Sequence, residues 1–504
     1  MRPIDYSDVQ GLAVFGYGKL TEACYLLLRV RDAAAARAWI QSAPVSTAEY
    51  RQPPPETALQ IAFTPAGLRA LGVPENTIGG FSAEFVSGMA GDASRARRLG
   101  DIGESDPAHW SWGGPGKIPD LVVMVFAREN LEAWKQTVQK APWSDAFEIT
   151  ATLSTSDIGG VEPFGFRDGI SQPEFDWKRE RAAVETTLEY DNRVALGELL
   201  LGYPNEYGKY TDRPLLNAAA DPGGELLPAE DDSASKDLGC NGTYMVLRQL
   251  EQDVRGFWQY LAGAAGGNPE ERYKLGAAMV GRTLDGEPLI PASGEKVAGA
   301  IEKPGAPRNA FTYDNDRGGT RCPLGAHIRR ANPRNADLFG HPSGLIAKLG
   351  SLLGIPRPRY GDDLTASTRF HRILRRGREY GPKLSPEEAL QPAPAGDHPR
   401  GLHFACLGAN IGRQFEFVQN AWLMSTKFNG LTEESDPLLG NRAAVGDCPV
   451  TGNFSIPREG KVPRRLSGVP QFITVRGGAY FFLPSLRALR YIARGGKPGS
   501  ARPE

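Results

Sequence analysis

The sequence predicts an α+β protein of two ferredoxin-like domains, each a small antiparallel sheet with helices on one face. A weak internal repeat supports this: residues 25–29 (YLLLR) align with residues 244–248 (YMVLR), and an amphipathic helix follows each strand. Further strand-then-helix units follow in each half. The chain length of 504 residues suits two domains of ordinary size. These observations divide the chain into an N-terminal domain over residues 1–235 and a C-terminal domain over residues 236–504.

In the first half, EACYLLLRVRDAAAARAWIQ from Glu22 reads as a strand running into an Ala-rich helix. LQIAFTPAGLRALG from Leu59 and LVVMVFARENLEAWKQTV from Leu121 repeat that pattern, and ITATLSTSDI from Ile149 reads as a strand. The second half opens with NGTYMVLRQLEQDVRGFWQYLA from Asn241. A long insertion rich in Gly, Pro and Arg follows, at about residues 267–400, a length that marks a functional segment or a disordered one. Helices are expected within it at SGLIAKLGSLLG from Ser343 and TRFHRILRRG from Thr368, which favours an ordered insertion. LHFACLGANIGRQFEFVQNAW from Leu402 and AYFFLPSLRALRYIA from Ala479 complete the half, and residues 493–504 read as a frayed tail.

Composition narrows the function. Hydrophobic residues make up 40% and charged residues 23%, which is globular rather than disordered. With 58 Lys and Arg against 59 Asp and Glu there is no broad basic surface, so nucleic acid is not an expected partner. Gly (60) and Pro (40) together form about a fifth of the chain, which implies long ordered loops. The five cysteines are scattered and never form a C-x-x-C pair, which argues against a disulfide framework, a zinc ribbon or a thiolate-held cluster. No apolar run reaches the roughly 20 residues of a membrane span, and no secretory or twin-arginine signal is evident. The expected location is the cytoplasm, and a homo-oligomer is compatible with the sequence.

No G-x-x-x-x-G-K-[ST], G-x-S-x-G or H-E-x-x-H pattern occurs, so nucleotide, serine-hydrolase and zinc-protease readings drop out. Six dispersed histidines suit no multi-histidine cage, whereas a haem needs only one axial histidine. Two segments stand apart. PFGFRDGISQPEF, residues 163–175, sets Asp168 among glycines and phenylalanines: either an Asp-Gly turn, or a carboxylate at the wall of a water-poor pocket. RCPLGAHIRRANPR, residues 321–334, sets His327 before Arg329, Arg330 and Arg334. The histidine is either a packed side chain or a ligand, and the arginines suit a buried anion such as a haem propionate.

Together, G-F-R-D-G-I-S-Q-P, R-C-P-L-G-A-H-I-R-R-A-N-P-R and H-R-I-L-R-R-G-R-E-Y-G-P, in this order and spacing, resemble the dye-decolourising peroxidases. These are haem enzymes of two ferredoxin-like domains, and the resemblance covers nearly the whole chain, most like the longer members. It implies one haem b per chain and a reaction in which hydrogen peroxide drives one-electron oxidation of phenols, aromatic amines and dyes. It also implies residue roles: His327 as axial iron ligand, Asp168 as acid/base on the peroxide side, and Arg375 as the arginine beside it. Arg334 would hold a haem propionate, Phe404 would wall the pocket, and Glu416, with Asn410 as the alternative, would accept the second ring N–H of His327. Gly377 stands where some relatives carry Ser or Asn. Cys322 and the eight tryptophans read as packing residues first, and His371 as a structural residue one helical turn from Arg375. An alternative on the same fold is a haem carrier, which would need His327 and Arg334 but not the pair Asp168 and Arg375.

Overall fold

The structure, a computed structural model, describes residues 3–180, 192–290, 308–334, 368–444 and 452–495. The helix expected from Ser343, Cys448 and most of the C-terminal tail lie outside the described residues. The first half contains β1 (Glu22–Val30), α1 (Ala33–Ser42), β2 (Thr57–Phe63), β3 (Leu121–Ala127), α2 (Leu131–Val138) and β4 (Phe147–Ser154). The second contains β5 (Thr243–Gln252), α3 (Val254–Ala264), α4 (Pro269–Val280), α5 (His327–Ala331), β6 (Leu374–Arg375), β7 (Arg378–Tyr380), β8 (Gly401–Gly408), β9 (Ile473–Leu483) and α6 (Leu486–Ala493).

Each half begins in the same way. The strand ends at an aspartate whose carboxylate accepts a backbone N–H of the next turn: Asp32 takes that of Ala35 to start α1, and Asp253 takes that of Gly256 to start α3. The strands then pair antiparallel in the order β4-β1-β3-β2 in the first half and β9-β5-β8-β6 in the second, with β7 also on β8. Both orders are ferredoxin-like, with the first strand beside the third and the fourth. The halves join edge to edge where Phe482 of β9 faces Phe63 of β2, giving one nine-stranded sheet.

Both faces of this sheet are covered, which explains why its strands are continuous apolar runs rather than alternating ones. From β1, Cys24, Leu26 and Leu28 pack on the helix face with Trp39 and Ile40 of α1. Ala23, Tyr25 and Leu27 point the other way, into a second core closed by Val9, Leu12, Leu199 and Leu200. Each fully buried Leu or Phe in these layers contributes about 1.5–3 kcal/mol.

The second half departs from the sequence expectation at its second strand. Residues 374–380, expected to be helical up to Gly377, instead form the short strands β6 and β7 on the edge of β8, with Leu374 opposite Leu407 and Arg378 opposite His403. Pairing with an open sheet edge satisfies backbone groups and overrides a helical preference worth only tenths of a kcal/mol per residue. Gly377 lies between the two strands, where a Cβ would sit 2.5 Å from the His403 carbonyl oxygen, so no side chain fits there. His371 is consequently not one helical turn from Arg375.

Candidate active site

A cavity of about 260 Å³ lies on the helix face of the second half. Strand alternation builds its floor: Arg248, Leu250 and Gln252 of β5, Leu402 and Phe404 of β8, and Ile473 and Val475 of β9 share one face. The insertion supplies Val280, at the end of α4, and then Arg282, together with His327 and Ile328 at the start of α5. The first half reaches in through the loop after β4, which delivers Asp168. Asp168, Arg375, His327, Arg334 and Phe404 therefore line one cavity, although Asp168 and Arg375 alone are 207 residues apart in sequence.

His327 Nδ1 lies 3.0 Å from Asp436 Oδ2, which leaves Nε2 for the cavity. Asp436 is fully buried, and its other oxygen accepts the backbone N–H groups of Leu438 (2.9 Å) and Leu439 (2.8 Å). Burial opposes ionisation of Asp436, but the His327 ring, its hydrogen bond and Arg330 outweigh burial and hold the carboxyl below its ordinary range. Burial likewise opposes protonation of His327, yet Asp436 raises the ring above its usual value. This corrects the expectation for Glu416. The Glu416 carboxylate is buried elsewhere, where it accepts from Tyr480 Oη at 2.9 Å and pairs with Arg95 Nε at 2.8 Å, so it is neither the histidine's partner nor a solvated residue. Asn410, the alternative, accepts the Arg413 backbone N–H. The only sequence signal at Asp436 is its place before Pro437, which marks a turn and says nothing of a histidine 109 residues away.

Asp168 Oδ1 accepts from Arg375 Nη1 at 2.7 Å. The rest of the motif holds that arginine: Nη2 donates to the Ser171 carbonyl (3.2 Å), and the Gln172 side chain accepts the Arg375 backbone N–H (3.1 Å) while donating to its carbonyl (3.2 Å). Glu162 fixes the other end of the loop by accepting the N–H groups of Phe164 and Phe166, both at 3.0 Å. Gly169, at φ 76°, provides the left-handed turn that follows Asp168. Burial disfavours the ionised Asp168, but the charge and hydrogen bond of Arg375 and the Gly169 backbone prevail, so the carboxyl sits below its ordinary value. The Asp-Gly turn and the pocket carboxylate are thus both present in one motif.

The arginines divide by role. Arg329 is buried against Asp316 and the Cys322 carbonyl, and Arg330 against the carbonyls of Trp422, Glu434 and Ser425. Neither lines the cavity, whereas Arg334 does, braced by Asn309 and Phe311. Arg282, which the sequence reading missed, also lines it. Its Nη2 is buried without a hydrogen-bond partner among the described residues, and burial together with neighbouring Arg334 pushes its pKa down to about 10. Two adjacent guanidinium groups on a wall shared with apolar side chains such as Val280, Ile328 and Leu439 call for an anion beside an apolar surface. A flat apolar macrocycle carrying carboxylates, held by one histidine, meets both requirements, so these residues fit haem. Cys322 does not compete as a ligand, because burial pushes its thiol up to about 12.

Haem peroxidases are the class of protein that combines a carboxylate-tethered histidine with a carboxylate–arginine pair in one such cavity. No protein-family model matches the chain. A multifunctional dye peroxidase of an Amycolatopsis species is 31% identical over 353 residues, 67% of this chain and 62% of that enzyme. A dye-decolorizing peroxidase of Auricularia auricula-judae is 27% identical over 516 residues, 96% of this chain and 86% of that protein. The crystal structure of a decolorizing peroxidase from the same fungus matches with a TM-score of 0.69 at 25% identity, over 98% of this chain and all of that one. The chain belongs to the dye-decolorizing peroxidase family.

Proposed function

We propose that the protein uses hydrogen peroxide to oxidise phenols, aromatic amines and dyes in one-electron steps, with one haem b per chain held by His327 and by Arg334 and Arg282 at its propionates. Haem supplies the redox centre that takes up the two oxidising equivalents of peroxide. The protein's own groups handle protons and charge. Asp168, kept ionised by Arg375, takes a proton from hydrogen peroxide on the carboxylate oxygen that Arg375 does not hold, and returns it to the departing oxygen. Arg375 stabilises the negative charge that develops there. Asp436 fixes the ring orientation of His327 and gives it anionic character. Donors too large for the cavity give up their electrons at the surface.

The observation that carries this reading is the Asp168–Arg375 ion pair in the same cavity as His327. A haem carrier needs no such pair. Cys24, Cys322 and Cys406 are buried free thiols, which supports a reducing compartment, the cytoplasm. The test is the visible spectrum of the haem-loaded protein before and after one equivalent of peroxide. A Soret band that shifts within the mixing time and returns on adding a phenol is expected. A band that only bleaches would establish haem handling instead.

A further inference from the structure

We propose that Glu379 makes the outer approach to the Asp168–Arg375 pair a charge filter, which passes neutral peroxides and turns back small anions. This rests on the peroxidase reading above and gives the same site a specificity-determining residue. A second cavity, of about 170 Å³, adjoins the first and has Glu379 on its wall. Asp168, Arg375, Leu402 and Phe404 line both cavities, so a small molecule that crosses from one to the other passes the ion pair. Gly160, Gly169 and Gly377, which also line the second cavity, are exposed, and this places it on the solvent side of the pair.

Strand pairing aims Glu379 at this passage. It lies opposite Leu402, which lines both cavities, whereas the preceding Arg378 lies opposite His403 and faces the other side of the sheet. There the Arg378 guanidinium donates to the carbonyls of Leu20 and Tyr17, both at 2.7 Å. The half-buried Glu379 carboxylate has no hydrogen-bond or ion-pair partner in another residue among the described ones. Arg375 is the only cation that lines the second cavity among the described residues, and Asp168 is already bonded to it. The loop after β4 adds a further negative charge nearby in Asp157, because the Ser156 backbone N–H donates to the Glu379 carbonyl at 2.8 Å and brings the two together. The passage therefore carries uncompensated negative charge. Hydrogen peroxide is neutral and crosses it without electrostatic cost, whereas an anion is repelled at a site where water screens poorly. Burial and the neighbouring Asp168 raise the Glu379 carboxyl above its ordinary value, so the filter strengthens as pH rises through that value.

The test compares haem-loaded wild type, Glu379→Gln and Glu379→Lys with three probes: hydrogen peroxide, the anionic peroxide peroxymonosulfate, and azide, whose association with ferric haem shifts the Soret band without turnover. Stopped-flow spectroscopy gives a rate constant for each. In Glu379→Gln the constants for peroxymonosulfate and azide should rise by roughly tenfold while that for hydrogen peroxide is unchanged, and Glu379→Lys should raise both anion constants further. Added salt should speed the anions in the wild type and do so far less in Glu379→Gln, and the gap between these two proteins should widen as pH rises. A merely structural role would alter both peroxides alike and without dependence on salt. Wild-type anion constants in both variants, or equal changes for the two peroxides, overturn the proposal. A wild-type protein that does not react with hydrogen peroxide overturns the peroxidase reading instead, and the azide comparison, which needs only bound haem, then decides the filter.

Discussion

His327 and Asp436 are joined by a 3.0 Å contact between the ring Nδ1 and a carboxylate that has no exposure to solvent. Because two backbone N–H groups hold the other carboxylate oxygen, the ring is oriented from behind by a group that cannot swing away. Asp436→Asn keeps the shape and removes the charge. The expected outcome is a higher iron reduction potential and a fall of about 10- to 100-fold in haem affinity or peroxide reactivity. Spectroelectrochemistry and haem titration measure these.

Asp168→Asn retains the cavity but not the base. Its expected phenotype is a normal resting Soret band with peroxide consumption slowed by roughly 100- to 10,000-fold. Stopped-flow spectroscopy measures this, and a variant as fast as wild type would transfer the proton step to Arg375 or to water.

The pH profile follows from the same pair. Since the Asp168 carboxyl lies below its ordinary value, the base form persists as pH falls, and the peroxide step should hold its rate down to about pH 4, near the free carboxylate value. Arg375→Leu removes the cation that offsets burial. The acid limb then moves to higher pH, and the rate falls by roughly 100- to 1000-fold at its optimum. An acid limb that stays in place in Arg375→Leu would show that another group titrates.

Arg282→Leu tests the anion site. Loss of one charge-assisted hydrogen bond, about 1.5–3 kcal/mol, should weaken haem binding by roughly 10- to 100-fold and leave the pH profile of the bound enzyme unchanged. Arg334→Leu should weaken haem more broadly, since it also removes the contacts to Asn309 and Phe311. Haem titration of the apoprotein reads both.

A stability prediction concerns Asp101 and Arg248, an ion pair buried beneath the cavity with 1% and 2% side-chain exposure. Asp101→Ala strands the guanidinium and should cost about 3–5 kcal/mol in denaturant unfolding.

Local physics accounts for what could be read from the chain alone. The runs that became β1 and β5 are apolar because both sheet faces are buried, and their aspartate caps and following helices lie within a few residues, so repeat, strand and helix are all visible in one window. G-F-R-D-G-I-S-Q-P is legible for the same reason, because Ser171, Gln172 and Asp168 act together on one arginine from within five residues.

Partners chosen across the fold were not legible. Whether Leu374 and Arg375 extend or coil depended on the open edge of β8, which no window of sequence contains. Glu416 and Asp436 are both carboxylates within reach in sequence terms, and only packing assigned one to Tyr480 and Arg95 and the other to His327. Arg329 and Arg330 look like Arg334 on the page, but the short helix of His327 turns them into the protein while Arg334 lines the cavity with Arg282. The sequence by itself determined the fold class, the repeat and the chemistry-bearing segments, because those rest on local periodicity and short spacing. The tertiary structure decided which charge meets which, because a buried ionisable group is stable only beside the partner that folding brings to it.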